Sequence, residues 1–209
     1  ADSSSLPVAA LEYHFTNPTD TPVDAVYSFH AANFLAVGAE NTSRHEGAEG
    51  SGVLSTENGF VLWQPGSQGS PWEQGAFSAV VDDPGTRVNC AWFRGGWFDP
   101  LTVLWKTVAE GTTPEAKPLA EGPPIAEGSP IAEGLPSTGG SLYVPLHLPP
   151  GGEKVIRLRL AWHVPQTNLR RGEDPAQQAC CAEDACCCGG ETSQYHKPWY
   201  ASVFDDIEA

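Results

Sequence analysis

The sequence predicts an all-β fold: an antiparallel two-sheet β-sandwich with long loops. Three observations point there. Short segments alternate apolar and polar residues with period two, the signature of half-buried strands. Gly (22) and Pro (19) punctuate the 209 residues throughout, which favours short strands and turns over helices. Seven Trp, eight Phe and five Tyr supply bulk for one substantial core, as a chain of this length allows.

The first alternating run is Leu6 to Thr16, with Leu11, Tyr13 and Phe15 on one side and Glu12, His14 and Thr16 on the other. Asn17-Pro18-Thr19-Asp20-Thr21-Pro22 is a dense turn signal. Val23 to His30 alternates again, so the two runs read as an antiparallel pair around that turn. Gly38 to Gly52 is polar and Gly-rich, a loop. Phe60 to Trp63, Ala76 to Val81 and Arg87 to Phe93 are further strands, with a turn at Asp82-Asp83-Pro84-Gly85. Leu101 to Val108 reads as a short helix, and Pro100 suits its first turn.

Residues 109–139 carry a hexapeptide repeat: Ala120-Glu121-Gly122-Pro123-Pro124-Ile125, then Ala126-Glu127-Gly128-Ser129-Pro130-Ile131, then Ala132-Glu133-Gly134-Leu135-Pro136. A Pro in every unit and so few units argue against a β-helix, which needs more repeats to bury a core. The segment reads as a flexible surface insertion. Ser141 to Leu148 is a strand containing Pro145, hence an edge strand or a bulge. Lys154 to Val164 alternates most cleanly, with Ile156, Leu158, Leu160 and Trp162 on one face. Near the end, Phe204 and Ile207 sit at helical spacing, the start of a helix.

The 26 acidic and 11 basic side chains give a formal charge of −15. Such a surface repels phosphate backbones, which excludes nucleic-acid partners, and it offers no basic grip on anionic lipid. No run approaches the ~18 apolar residues of a membrane span, and no signal peptide is visible. The chain therefore reads as soluble, with its compartment undetermined. Without a single Met, it reads as a processed or excised segment of a longer protein.

Two constellations could carry chemistry. Cys180, Cys181, Cys186, Cys187 and Cys188 crowd one loop. Thiolates so placed can hold zinc, but the spacing fits no standard module, so strained local disulfides or a thiol loop are the plainer readings. Cys90 stands apart as a small hydrophobe packed in a strand. The run Cys90 to Trp105 holds Trp92, Trp97 and Trp105 with two Phe. Arg94, Trp97, Asp99 and Trp105 could form a sugar platform, in which a ring stacks on the sugar and polar groups hold its hydroxyls. Aromatics at strand ends more often belong to the core. No GxSxG, HExxH, phosphate-binding or dinucleotide motif is present, and no cofactor is implied. His30, His147 and His163 lie in strands and read as structural.

These segments resemble the N-terminal region of glycoside hydrolase family 116, the β-glucosidases that include the non-lysosomal glucosylceramidases. The resemblance rests on Leu6-Pro7-Val8-Ala9 through Asp20, on Arg94-Gly95-Gly96-Trp97-Phe98-Asp99-Pro100 with Leu104-Trp105, on Leu160 to Pro165, and on Pro198-Trp199-Tyr200-Ala201 with Phe204 to Glu208. It implies a β-sandwich followed by a helical (α/α) toroid that holds the catalytic carboxylates of a retaining β-glycosidase. No position here matches those catalytic motifs, so no catalytic residue is carried over. The expected organisation is a sandwich over 1–165, a Cys-rich loop over 166–197, and the start of a linker helix over 198–209. The expected partner is the catalytic domain of the same protein, and a β-glucoside or glucosylceramide-like glycan is the expected ligand of the parent. A free-standing carbohydrate-binding module is the alternative, and it requires an exposed aromatic row.

Overall fold

The computed structural model describes residues 6–35, 52–92, 100–115, 139–169 and 195–207. Among them are eight strands: β1 (Val8–Thr16), β2 (Val23–Ala32), β3 (Gly52–Ser55), β4 (Gly59–Gln64), β5 (Gly75–Val81), β6 (Arg87–Asn89), β7 (Gly139–Leu148) and β8 (Glu153–His163). One α-helix, α1, spans Pro100–Ala109. Short 3-10 turns occupy Pro71–Glu73 and Tyr200–Ser202. The strands form two antiparallel sheets, ordered β1-β8-β5-β4-β3 and β2-β7-β6. The expected all-β sandwich is therefore present, and α1 extends the expected helix by a residue at either end.

The core lies between the sheets. Phe60, Leu62, Phe77, Ala79, Val81, Ile156 and Leu158 from the large sheet meet Val88, Leu142, Val144 and Leu146 from the small one. These are alternate positions along each strand, as period two requires. Phe60 packs flat over Gly140, where an added Cβ would lie 2.7 Å from the ring. The glycine thus lets the two layers close. Cys90 is fully buried in this core, one residue beyond β6.

Several connections differ from the sequence reading. β1 and β2 do not pair. β1 pairs with β8 and β2 with β7, so the Asn17–Pro22 turn arches from one sheet to the other. Alternation identifies a strand but not its neighbour, and an arch keeps both apolar faces on the core as well as a hairpin does. Rings across the arch confirm the arrangement: Tyr13 and Tyr27 lie 5.0 Å apart. Asn17, nearly fully buried, holds the arch. Its Nδ2 donates to the carbonyls of Thr21 (2.8 Å), Leu148 (3.0 Å) and Pro149 (3.1 Å). Its Oδ1 accepts from the Thr19 amide and hydroxyl.

The strand expected over Arg87–Phe93 stops at Asn89, because the Asn89 Oδ1 accepts from the Ala91 amide at 3.0 Å and turns the chain. Ser141–Leu148 is neither an edge strand nor shown as bulged; β7 is the middle strand of the small sheet. Pro145 is tolerated there because β6 pairs only with Ser141, Leu142 and Tyr143 and ends before it. The Gly52 expected in a loop opens β3, and the rest of that loop (38–51) lies outside the described residues. The helix expected from Phe204 to Ile207 is not formed within the described residues. The chain there makes one 3-10 turn and then bends. The hexapeptide repeat and the Cys loop lie outside the described residues. The ends of the Cys-rich segment meet, however, since Thr167 and His196 form an isolated antiparallel bridge.

Candidate functional site: an apolar groove on the large sheet

The outer face of the large sheet carries small apolar side chains where a solvated face would carry polar ones. Register places Val8 beside Ala161 beside Ser78 in one row, and Ala10 beside Arg159 beside Val80 in the next. Val8 is 59 % exposed. With Val61 and Ile207, these residues line a groove of about 780 Å³. No aromatic ring lines it among the described residues.

Charged residues share this face: Arg159 lies between Ala10 and Val80, and Asp82 and Glu57 also line the groove. Arg159 bonds Asp82, and Arg157 Nε donates to Glu12 Oε2 at 2.6 Å. The Arg157 guanidinium, aided by His14, holds the Glu12 carboxyl below the usual carboxylate range. Lys154 reaches Asp83 at 2.7 Å. Burial pushes the Asp83 carboxyl up, but Lys154 and the Gly85 amide outweigh it, and the net shift is downward. The Thr56–Asn58 turn lines the groove at the same strand end as Asp82, since the Val81 amide donates to the Asn58 carbonyl.

The chain lays part of itself on the same face. Tyr200 Oη accepts from the Val164 amide and donates to its carbonyl, both at 3.2 Å. His163 Nε2 lies 3.1 Å from the Phe204 carbonyl. This explains a departure on β8. Trp162, expected to share the inward face with Ile156 and Leu158, is 45 % exposed, whereas His163 is buried beneath the 200–207 segment. Ile207 lines the main groove and two smaller adjoining cavities.

The residues singled out in the sequence fall elsewhere. Trp92 is buried and donates to Ser141 Oγ at 2.8 Å, so it is core and no part of a platform. Trp105 is 69 % exposed on α1, where Leu101, Trp105 and Val108 share one exposed face at i, i+4, i+7 spacing. Arg94, Trp97 and Asp99 lie outside the described residues, as do Cys180, Cys181, Cys186, Cys187 and Cys188. No group of three His, Cys, Asp or Glu suited to a metal occurs among the described residues. The three strand histidines are each held structurally. His30 sits between Ser141 Oγ and Ser28 Oγ, each at 2.9 Å, and burial lowers its pKa. His147 meets Asp24 on the surface, and His163 meets Phe204 as described.

The groove was missed in the sequence. Its one signal is the short, uncharged side chains at Val8, Ala10, Ser78, Val80 and Ala161 on β1, β5 and β8, interrupted by Arg159, where an outward face is expected to be polar.

No curated protein matches the chain. A family model described as "beta-glucosidase 2, glycosyl-hydrolase family 116 N-term" matches residues 1–209. The matched span is the whole chain, the fold is the sandwich that the resemblance implied, and the chain belongs to the glycosyl-hydrolase family 116 N-terminal domain family.

Proposed function

We propose that this domain is non-catalytic and braces the (α/α) toroid catalytic domain of a family 116 retaining β-glucosidase of the glucosylceramidase type. The observation that carries this reading is the groove. A sandwich with a filled core keeps a second, largely apolar surface, beside which Arg159 and Asp82 pair with each other. An exposed, contiguous apolar face of this kind marks an interaction site. The groove also suits a protein partner better than a sugar, because none of the described residues lining it offers a ring on which a sugar could stack.

The carbohydrate-binding module is the second reading, and the exposure of Trp105 is what favours it. The buried Trp92 removes one member of the row that reading needs.

The two readings separate on activity and binding. Residues 1–209 alone should not hydrolyse an aryl β-glucoside, whereas the longer family 116 protein that carries them should. Turnover by residues 1–209 alone would overturn the bracing role. Retention of the isolated chain on a β-glucan, lost in Trp105→Ala, would favour the module.

A further inference from the structure

We infer that Asn58, in the turn between β3 and β4, is a site of spontaneous deamidation in the folded protein, converting to aspartate and isoaspartate through attack by the Gly59 amide. The inference stands apart from the bracing role.

Sequence narrows the choice first. Deamidation begins when the backbone nitrogen of the next residue attacks the side-chain carbonyl carbon of Asn, which makes Asn a thermolabile residue. A side chain on that next residue shields its nitrogen, and glycine has none. Asn58-Gly59 is the one Asn-Gly pair in the sequence.

The structure leaves both reacting groups unheld. Asn58 is half-buried at the edge of the groove, and its side-chain amide makes no hydrogen bond among the described residues. The Val81 amide donates to the Asn58 carbonyl at 3.1 Å, so Gly59 occupies the next position of the ladder, where the amide points away from β5. On the other side the Thr56 amide donates to the Gly59 carbonyl at 2.9 Å, with no return bond from the Gly59 amide among the described residues. The other described asparagines are held or blocked. Asn17 is engaged through both Nδ2 and Oδ1 and precedes Pro18, whose nitrogen carries no hydrogen. Buried Asn33 donates to the Gly52 and Trp63 carbonyls and precedes Phe34. Asn89 is tied to the Ala91 amide and precedes Cys90. Asn168 precedes Leu169, whose branched side chain shields its amide.

The step balances with water alone. Hydroxide takes the proton of the Gly59 amide, and the nitrogen bonds to Asn58 Cγ. The Cγ–Nδ2 bond breaks, and Nδ2 leaves as ammonia with a proton returned from water. The five-membered imide then takes up one water. Opening at Cγ gives aspartate; opening at the backbone carbonyl carbon gives isoaspartate, whose main chain runs through Cβ and Cγ.

The two products differ in consequence. Aspartate adds a carboxylate beside Glu57 and Asp82, which line the same groove, and leaves the main chain unchanged. Isoaspartate adds a carbon to the main chain where there is no slack, because even a Cβ on Gly59 would meet the Ala79 carbonyl. The bond from the Val81 amide is then lost. The four-residue outer strand β3, which pairs with β4 alone, is loosened with it.

The test holds the intact folded protein at several pH values above neutral and follows each asparagine by mass-spectrometric peptide mapping that separates aspartyl from isoaspartyl forms. Expected is conversion to both acids at Asn58, ahead of Asn17, Asn33 and Asn89, at a rate that rises in proportion to hydroxide. Asn58→Gln, whose imide would need a six-membered ring, should stop it. Conversion at Asn58 no faster than at Asn33 or Asn89 would overturn the inference. Conversion confined to urea-unfolded protein would overturn it too, since the native turn would then shield the pair. In the isoaspartyl form the amides of residues 53–55 should exchange several-fold faster than in Asn58→Asp, which keeps the normal main chain. Equal protection in the two would overturn the loosening of β3.

Discussion

Asn17 carries more of the fold than any charged residue. One buried amide satisfies three carbonyls from two chain segments some 130 positions apart, and its backbone also bonds Gly151 and Gly152. In Asn17→Ala those buried acceptors lose their donor, each at about 1–3 kcal/mol. The expected loss of stability is about 3 kcal/mol by urea titration, with the m-value unchanged. Gly140→Ala drives a methyl into the Phe60 ring, which is fixed in the core. Overpacking of this kind costs about 1–3 kcal/mol, and Phe60→Leu in the same chain should recover part of it. His30 gives a pH dependence. Burial lowers its folded pKa below the ordinary 6.5, so the unfolded chain binds the proton more readily. Its contribution is full above pH 6.5 and is lost as pH falls toward the folded value. Unfolding midpoints measured between pH 7.5 and 5 should fall less steeply in His30→Gln than in the unaltered chain. Asp83 and Glu12, both lowered, add a second loss at the acid end of the carboxylate range.

Elements were legible in proportion to how much of their burial is local. β8 alternates so regularly that its extent followed from sequence to within a residue. β3, of four residues, carries too little pattern to stand out from the Gly-rich stretch before it. β6 ended early because the Asn89 side chain offered the Ala91 amide a local bond, a competition that alternation does not register. α1 was legible from Pro100 and helical spacing, but its exposure was not. Leu104 and Thr107 are its half-buried positions, while Leu101, Trp105 and Val108 face outward. With so little of Trp105 buried, Trp105→Ala should change the stability of this chain by no more than about 0.5 kcal/mol. A loss several times larger on thermal unfolding would show that the ring is packed in solution.

At the scale of the molecule, five strands face three, so the smaller sheet cannot cover the larger one completely. Leu11 and Tyr13 on the core side of β1 stay partly exposed for that reason. The sheets end in β1, β3, β2 and β6, whose outer edges offer unpaired backbone groups among the described residues. The charge of −15 opposes close approach of copies at low ionic strength. Salt should therefore promote self-association of this chain, as sedimentation between ~10 mM and ~0.5 M salt can show, since the Debye length falls from about 30 Å to only a few Å over that range.

The sequence by itself determined the strand class, the positions of most strands and the apolar face of most of them, because period-two burial and turn chemistry act over a few residues, and its motif segments carried the resemblance to the family. Tertiary structure alone decided which strands are neighbours, since an arch and a hairpin present the same alternation to the core. It also decided that Trp92 goes inside and Trp105 outside, and that His163 is covered while Trp162 is not. Above all it assembled the groove. Val8, Ser78 and Ala161 are far apart in the chain and individually unremarked. They become a surface only because β1, β5 and β8 lie side by side in one sheet.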